Sequence, residues 1–174
     1  PLATLATLLF RAMHPSGEQH RYPSAGDVYE NDVVVLADRV DGLPRGCYLY
    51  RPLAHALRPL HGDEQSFTAL ITGSSRSTGQ GEAPQALCIV AARFDDLAAK
   101  YERNAYGLML KDASMLMATI GLVATELGVG CVLLGGGDSD AFARATGLDY
   151  YVQGSIAELA LSTLVHSAAD ATGH

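Results

Sequence analysis

The stretch NAYGLMLKDASMLMATIGLVATELGVGCVLLGGG, residues 104–137, decides the fold. From after Asn104 to Leu127 it reads as one long helix, apolar on nearly all sides and closed by Gly128 in the C-cap position. Its most apolar tract, residues 113–125, is bracketed by Lys111, Asp112 and Glu126 and falls well short of the ~20 apolar residues a bilayer crossing needs, so it is read as a core helix. A helix of this kind must be covered around its circumference, which implies a sheet on one side and a second subunit on another. Residues 131–134 follow as a buried strand running into Gly135, Gly136 and Gly137, and Asp138 or Ser139 can cap the next helix, to Thr146.

Outward from this centre, strands and helices alternate. Leu2, Leu5, Leu8, Leu9 and Ala12 recur at helical spacing until His14, Pro15, Ser16 and Gly17 stop them. Residues 33–36 predict a buried strand, and turn residues 41–46 lead into a hairpin built from 47–50 and 55–60. A helix is expected over 64–71 and a mobile Ser/Thr/Gly/Gln loop over 73–84. The wholly apolar run 86–92 predicts a strand covered on both faces by helices; residues 95–101 predict a short helix, and 156–164 a last strand. With no internal repeat and no linker between two cores, the pattern is one α/β or α+β layer domain over 1–174.

Composition agrees with one packed core. A chain of 174 residues buries roughly two thirds of the surface its unfolded form exposes. Apolar residues make up 48% and charged ones 18%, and 12 basic against 19 acidic residues give −7, a sign that disfavours nucleic acid or an anionic membrane as partner. Cys47, Cys88 and Cys131 lie in apolar runs without ligand spacing, and six histidines are scattered singly, so buried thiols in a reducing cytoplasm are expected and no metal. The start shows no basic n-region followed by a cleavage site; beginning at Pro1, the chain is expected to be a fragment, a processed form or a domain of something larger.

Three segments could carry chemistry. In Tyr22-Pro23-Ser24-Ala25-Gly26 small residues let backbone amides approach a flat ligand and Ser24 offers a hydroxyl, although the same residues make an ordinary turn. Gly135-Gly136-Gly137 places unpaired amides and a helix start in one place, suited to anionic or carbonyl oxygen, or serves simply as a strand-to-helix turn; it lacks the GxGxxG spacing of a dinucleotide site. Lys100-Tyr101-Glu102-Arg103 marks a helix junction that is either a solvated charge network or the home of a base. A free lysine titrates near ~10.4, so Lys100 accepts a proton at neutral pH only if burial or Arg103 lowers that value, with Tyr101 assisting. His20 and Arg21 before the first turn could reach a phosphate.

In order along the chain, residues 21–29, Val40 to Tyr50, Ala91-Ala92-Arg93-Phe94, residues 100–106 and Glu126 to Gly137 resemble the motifs of the SagB-type, or McbC-like, azoline dehydrogenases, a likeness that spans about Leu5 to Leu164. The resemblance implies a nitroreductase-like α+β fold: a mixed sheet packed around the long central helix, in a homodimer with FMN at the interface. It implies Pro23, Ser24, Ala25, Gly26, Leu134, Gly135 and Gly136 as cofactor-binding residues, and Lys100 and Tyr101 as base and catalytic partner; Arg21, or a basic group of another subunit or chain, is expected to take the phosphate. The implied reaction converts a peptidyl thiazoline or oxazoline, leader-bearing or carrier-bound, to the aromatic azole, alongside a cyclodehydratase or synthetase module. The family's Arg-rich phosphate-gripping strand precedes the point where this chain starts, and Met115, Thr119 and Asp27 stand where the family carries His, Asn and Ala. An NAD(P)H-dependent flavin enzyme of the same fold, or a flavin-free scaffold subunit, are the alternatives.

Overall fold

Two apolar stretches, 31–37 and 86–93, form the middle of a six-stranded sheet and set what lies on each of its faces. The computed structural model describes residues 1–78 and 82–163. Along the chain run α1 (Leu2–Met13), β1 (Asn31–Ala37), β2 (Gly46–Arg51), β3 (Ala56–Leu60), α2 (Glu64–Thr78), β4 (Ala86–Arg93), α3 (Phe94–Tyr101), α4 (Ala105–Glu126), β5 (Val129–Leu134), α5 (Ser139–Thr146) and β6 (Gln153–Thr163). The sheet order is β3-β2-β1-β4-β6-β5.

Successive side chains of a strand point to opposite faces, and here both faces are dry. Val33, Val35 and Ala37 of β1, with Cys88 and Val90 of β4, pack in one cluster with Leu5, Leu8 and Leu9 of α1 and Leu116 and Ile120 of α4. Val34 and Leu36, with Leu87 and Ile89, pack in the other with Phe67, Leu70 and Ile71 of α2 and Phe142 of α5. The result is three layers, α1 and α4 on one face and α2 and α5 on the other.

Every pairing between the described strands is antiparallel, so the sheet is not the mixed one expected. The reason is topological. The α3–α4 crossover does join two strands that point the same way, β4 and β5, but β6 inserts between them and pairs with both.

Two boundaries also differ from expectation. α2 continues through Gly73 to Thr78, because Phe67, Leu70, Ile71 and Ser74 recur on one buried face, and packing overrides the weak helix propensity of Ser, Thr and Gly. Residues 79–81 of the expected loop lie outside the described residues, as does Leu164 of the last strand, which begins three residues early at Gln153.

α4 buries Ala105, Met109, Asp112, Ala113, Leu116, Ile120 and Ala124 along one stripe. Its other face leaves Tyr106, Leu110, Met115 and Leu122 exposed, Leu122 at 74%. The helical stretch Phe94–Glu126 is long and apolar enough to cross a membrane by length and composition, but here it is broken at residues 102–104 and α4 lies on the sheet.

Candidate active site

Two loops and a helix junction emerge at one end of the sheet. Asn31 at the start of β1 pairs with Ala92 near the end of β4, Ala92 pairs with Gly154 near the start of β6, and Glu158 of β6 pairs with Leu134 at the end of β5. The loop before β1, the α3–α4 junction after β4 and residues 135–137 after β5 therefore share that end.

The first loop combines backbone strain with a buried acid. Ala25–Asp27 form a 3-10 turn, and Gly26, Asp27 and Tyr29 have φ of +60°, +57° and +52°. At the two non-glycine positions this conformation costs ~1–2 kcal/mol each, so the surroundings must impose it. Asp112 of α4, buried, does this: its Oδ2 accepts from Ser24 Oγ at 2.9 Å and from the Ala25 amide at 2.7 Å. Ser24 Oγ in turn accepts from the Tyr29 amide at 3.0 Å. Arg93 donates to the Tyr29 carbonyl at 2.8 Å while pairing with Asp32 at 2.8 Å and Asp96 at 2.6 Å, which fixes the far end of the loop. Glu30, fully buried, accepts from Asn31 Nδ2 at 3.2 Å; burial pushes its carboxyl above the ordinary range, and the nearby charge of Asp112 adds to the shift.

Gly26 is where the junction meets this loop. Lys100 Nζ donates to its carbonyl at 2.8 Å, and a Cβ at position 26 would lie 2.6 Å from Nζ and closer still to the Tyr101 hydroxyl. The left-handed φ and the close approach each select glycine. Glu102, at φ +41°, turns the chain out of α3. Tyr101 is half-buried with Ala25 and Val28 against Leu97, Ala105 and Met109, whereas Lys100 is exposed and its ammonium acts as a donor.

A cavity of about 250 Å³ lies between residues 134–137, β6 and the α4 side chains Tyr106 and Met117. Among the described residues no Lys, Arg or His lines it; an acid does. Glu158 is 5% exposed, its Oε1 has no hydrogen-bond partner among the described residues, and Gly137 is so close that a Cβ there would collide with that oxygen. Burial first, and then the charge of Asp138, push the Glu158 carboxyl up to about 7. Asp138 itself caps α5, accepting from the Ala141 amide at 2.8 Å. Ile156 links the two halves, since it lines the cavity and also packs against the cluster that holds Ala25 and Tyr101.

This architecture has relatives. The model of the Nitroreductase family matches residues 1–157. The chain belongs to that family. Its fold superposes with TM-score 0.82 and 22% identity on a chain of the E. coli microcin synthetase McbBCD complex with truncated pro-MccB17 bound, covering 94% of this chain and 64% of that one. A protein of Anabaena variabilis ATCC 29413 assigned as a nitroreductase matches at TM-score 0.77 and 28% identity over 91% of this chain and 34% of that one. A third, from Staphylococcus epidermidis ATCC 12228 and assigned as an NAD(P)H:FMN oxidoreductase, matches at TM-score 0.60 and 11% identity over 100% and 85%. This chain thus spans less than two thirds of the first two, and the 22% and 11% likenesses speak to fold alone. Among curated proteins no sequence matches.

Nitroreductase-family proteins are in general flavin-dependent oxidoreductases, and the cavity can be tested against that cofactor. Glycine walls, a neutral-leaning carboxyl and the lack of any lining cation fit a ring, not a phosphate. At about 250 Å³ it is smaller than the ~300–1,000 Å³ of common ligand sites and has room for only one end of a ring system.

Among the residues singled out from sequence, the structure brings Ala25, Gly26, Lys100 and Tyr101 together and puts Leu134, Gly135 and Gly136 on the cavity. The Ser24 hydroxyl donates to Asp112 and accepts from the Tyr29 amide. Pro23 is exposed, and Arg21 faces the end of α1, where Nε donates to the His14 carbonyl at 2.9 Å. The ring of His20 stacks on Tyr29 at 3.5 Å between centroids. Sequence reasoning missed Asp112, Glu30 and Glu158. Two of them had a signal, a lone acid next to or inside an apolar run, where an unpaired charge is too costly to be accidental.

Proposed function

We propose that this chain is an FMN-dependent dehydrogenase that oxidises peptidyl thiazolines or oxazolines to thiazoles or oxazoles. The observation that supports it most is the meeting of Lys100 and Tyr101 with Gly26 at the sheet end that also holds the glycine-lined cavity. Bound FMN would supply the two-electron acceptor, with dioxygen as terminal oxidant. Leu134, Gly135 and Gly136 would hold the ring and the Pro23–Gly26 backbone would frame it, with Arg21 swinging from His14 to the phosphate. Lys100 Nζ, released from the Gly26 carbonyl, would take the α-proton of the azoline, with the Tyr101 hydroxyl orienting it. Lys100 is exposed in the single chain, so the desolvation that makes an amine a base comes from bound peptide and a second copy. The exposed apolar face of α4 supports that homodimer.

The likeness to a chain of a synthetase complex holding a truncated pro-peptide supports a peptide substrate, leader-bearing or carrier-bound, and a cyclodehydratase or synthetase module as partner. We place the reaction in the cytoplasm, with neither nucleic acid nor membrane involved. The test is a spectrum followed by turnover: the protein binds FMN and is yellow, and Lys100→Ala keeps the colour while oxidising an azoline peptide at least ~100-fold more slowly. Full activity in that variant removes the base; a colourless protein that ignores FMN is a scaffold. The Staphylococcus epidermidis neighbour and the donor role of Lys100 favour a second reading, NAD(P)H-dependent reduction, recognised by rapid flavin bleaching with NADPH and no azoline turnover.

A further inference from the structure

Glu158 lies in the strand run Ile156-Ala157-Glu158-Leu159-Ala160, where an apolar residue would fill the same place without leaving a buried oxygen unpaired. Glu158 lines the cavity. Gly137 lies against its Oε1, Tyr106, Ser139 and Ser155 line the same cavity, and the charge of Asp138 is of its own sign. An acid kept from every cation, beside glycines that leave room above their backbone, suits a neutral hydrogen-bonding edge of a flat molecule.

We infer that Glu158 reads the edge of a planar heterocycle in this cavity, its carboxyl hydrogen-bonding to a ring that carries N–H beside C=O. When protonated, a carboxyl offers an O–H to a ring carbonyl and an oxygen to a ring N–H, so one side chain serves both. The inference rests on the reading of the cavity as the ring end of the proposed flavin site; an amide-bearing azole in a peptide presents the same edge. Because the carboxyl titrates at about 7, with Asp138 and Tyr106 as the titratable groups around it, affinity for such an edge falls as pH rises through neutrality.

The test titrates FMN, followed by its fluorescence, into the full chain and into Glu158→Gln and Glu158→Leu, with circular dichroism confirming each fold. Glu158→Leu should bind at least ~10-fold more weakly at slightly acid pH, wild type should lose affinity towards alkaline pH, and Glu158→Gln should show no such pH dependence. In a second arm a thiazole carboxamide replaces FMN while carbon NMR follows the Glu158 carboxyl. If wild type ignores FMN but the azole shifts that resonance, the flavin reading fails and the ring-reading role stands. Equal FMN affinity and pH profile in all three proteins, or a resonance that neither probe moves, overturns the inference.

Discussion

Raising the pH from about 4.5 to about 8 should destabilise wild type relative to Glu158→Gln by ~3 kcal/mol. The Glu158 carboxyl has an ordinary value of 4.5 and is held up to about 7 in the fold. Between those values the folded chain binds a proton that the unfolded chain has released, so the free energy of unfolding falls as pH rises. The group's contribution is complete below the unfolded value and gone once pH has passed the folded one. A gap of about 2.5 units at ~1.36 kcal/mol per unit gives the magnitude. Glutamine keeps the shape and stays neutral at every pH, so the difference between the two proteins isolates this side chain from Glu30, whose carboxyl is also raised by burial. Urea melts followed by circular dichroism, at steps across that range, measure it. A wild-type-to-variant gap that stays constant within ~0.5 kcal/mol would refute the claim that the carboxyl is buried without a partner.

Gly26→Ala should lose ~1–2 kcal/mol from the left-handed φ alone, and more from displacing Lys100 and Tyr101, seen as a melting temperature lower by ~4–8 °C; an unchanged melt means the loop opens freely. Asp112→Ala leaves the Ala25 amide and the Ser24 hydroxyl without their acceptor and should cost ~2–4 kcal/mol in urea melts, part of it recovered by Asp112→Asn; equal stability of all three would show that Asp112 does not hold the strained turn. Under the proposed homodimer, Leu122→Glu puts a charge on the exposed face of α4 and should shift the chain from dimer to monomer by light scattering; a dimer that survives uses another face.

The layers were legible because residues 33–37 and 86–92 are apolar at every step, and a strand that is dry on both faces requires helices on both. The direction of pairing was not legible. Strand–helix alternation reports which strands a crossover joins, and nothing in residues 153–163 says that their strand slides between the two. The end of α2 was misread for a related reason. Its run from Gly73 to Thr78 is polar and turn-like in composition, and the helix there is held by the buried contacts of Phe67, Leu70, Ile71 and Ser74, which come from across the fold.

At the site, glycines announced themselves and the acids that govern them did not. Gly26 and Gly137 are small because something lies against each: the Lys100 ammonium and Tyr101 hydroxyl in one case, the Glu158 carboxyl in the other. A glycine in a sequence shows that space is needed, but the occupant sits 74 residues away from Gly26 and 21 away from Gly137, beyond any local spacing rule. Asp112 follows the same logic, since it fixes Ser24 and Ala25 from the middle of a helix that reads as core. Both glycine segments are thus set by side chains of elements that join them only in the folded chain. The cavity end is acidic and cation-free while the Gly26 end carries the amine. Under the proposed function, a ligand spanning both is neutral where it meets Glu158 and presents its acidic hydrogen near Lys100. That polarity, more than the glycines, restricts what this sheet end can turn over.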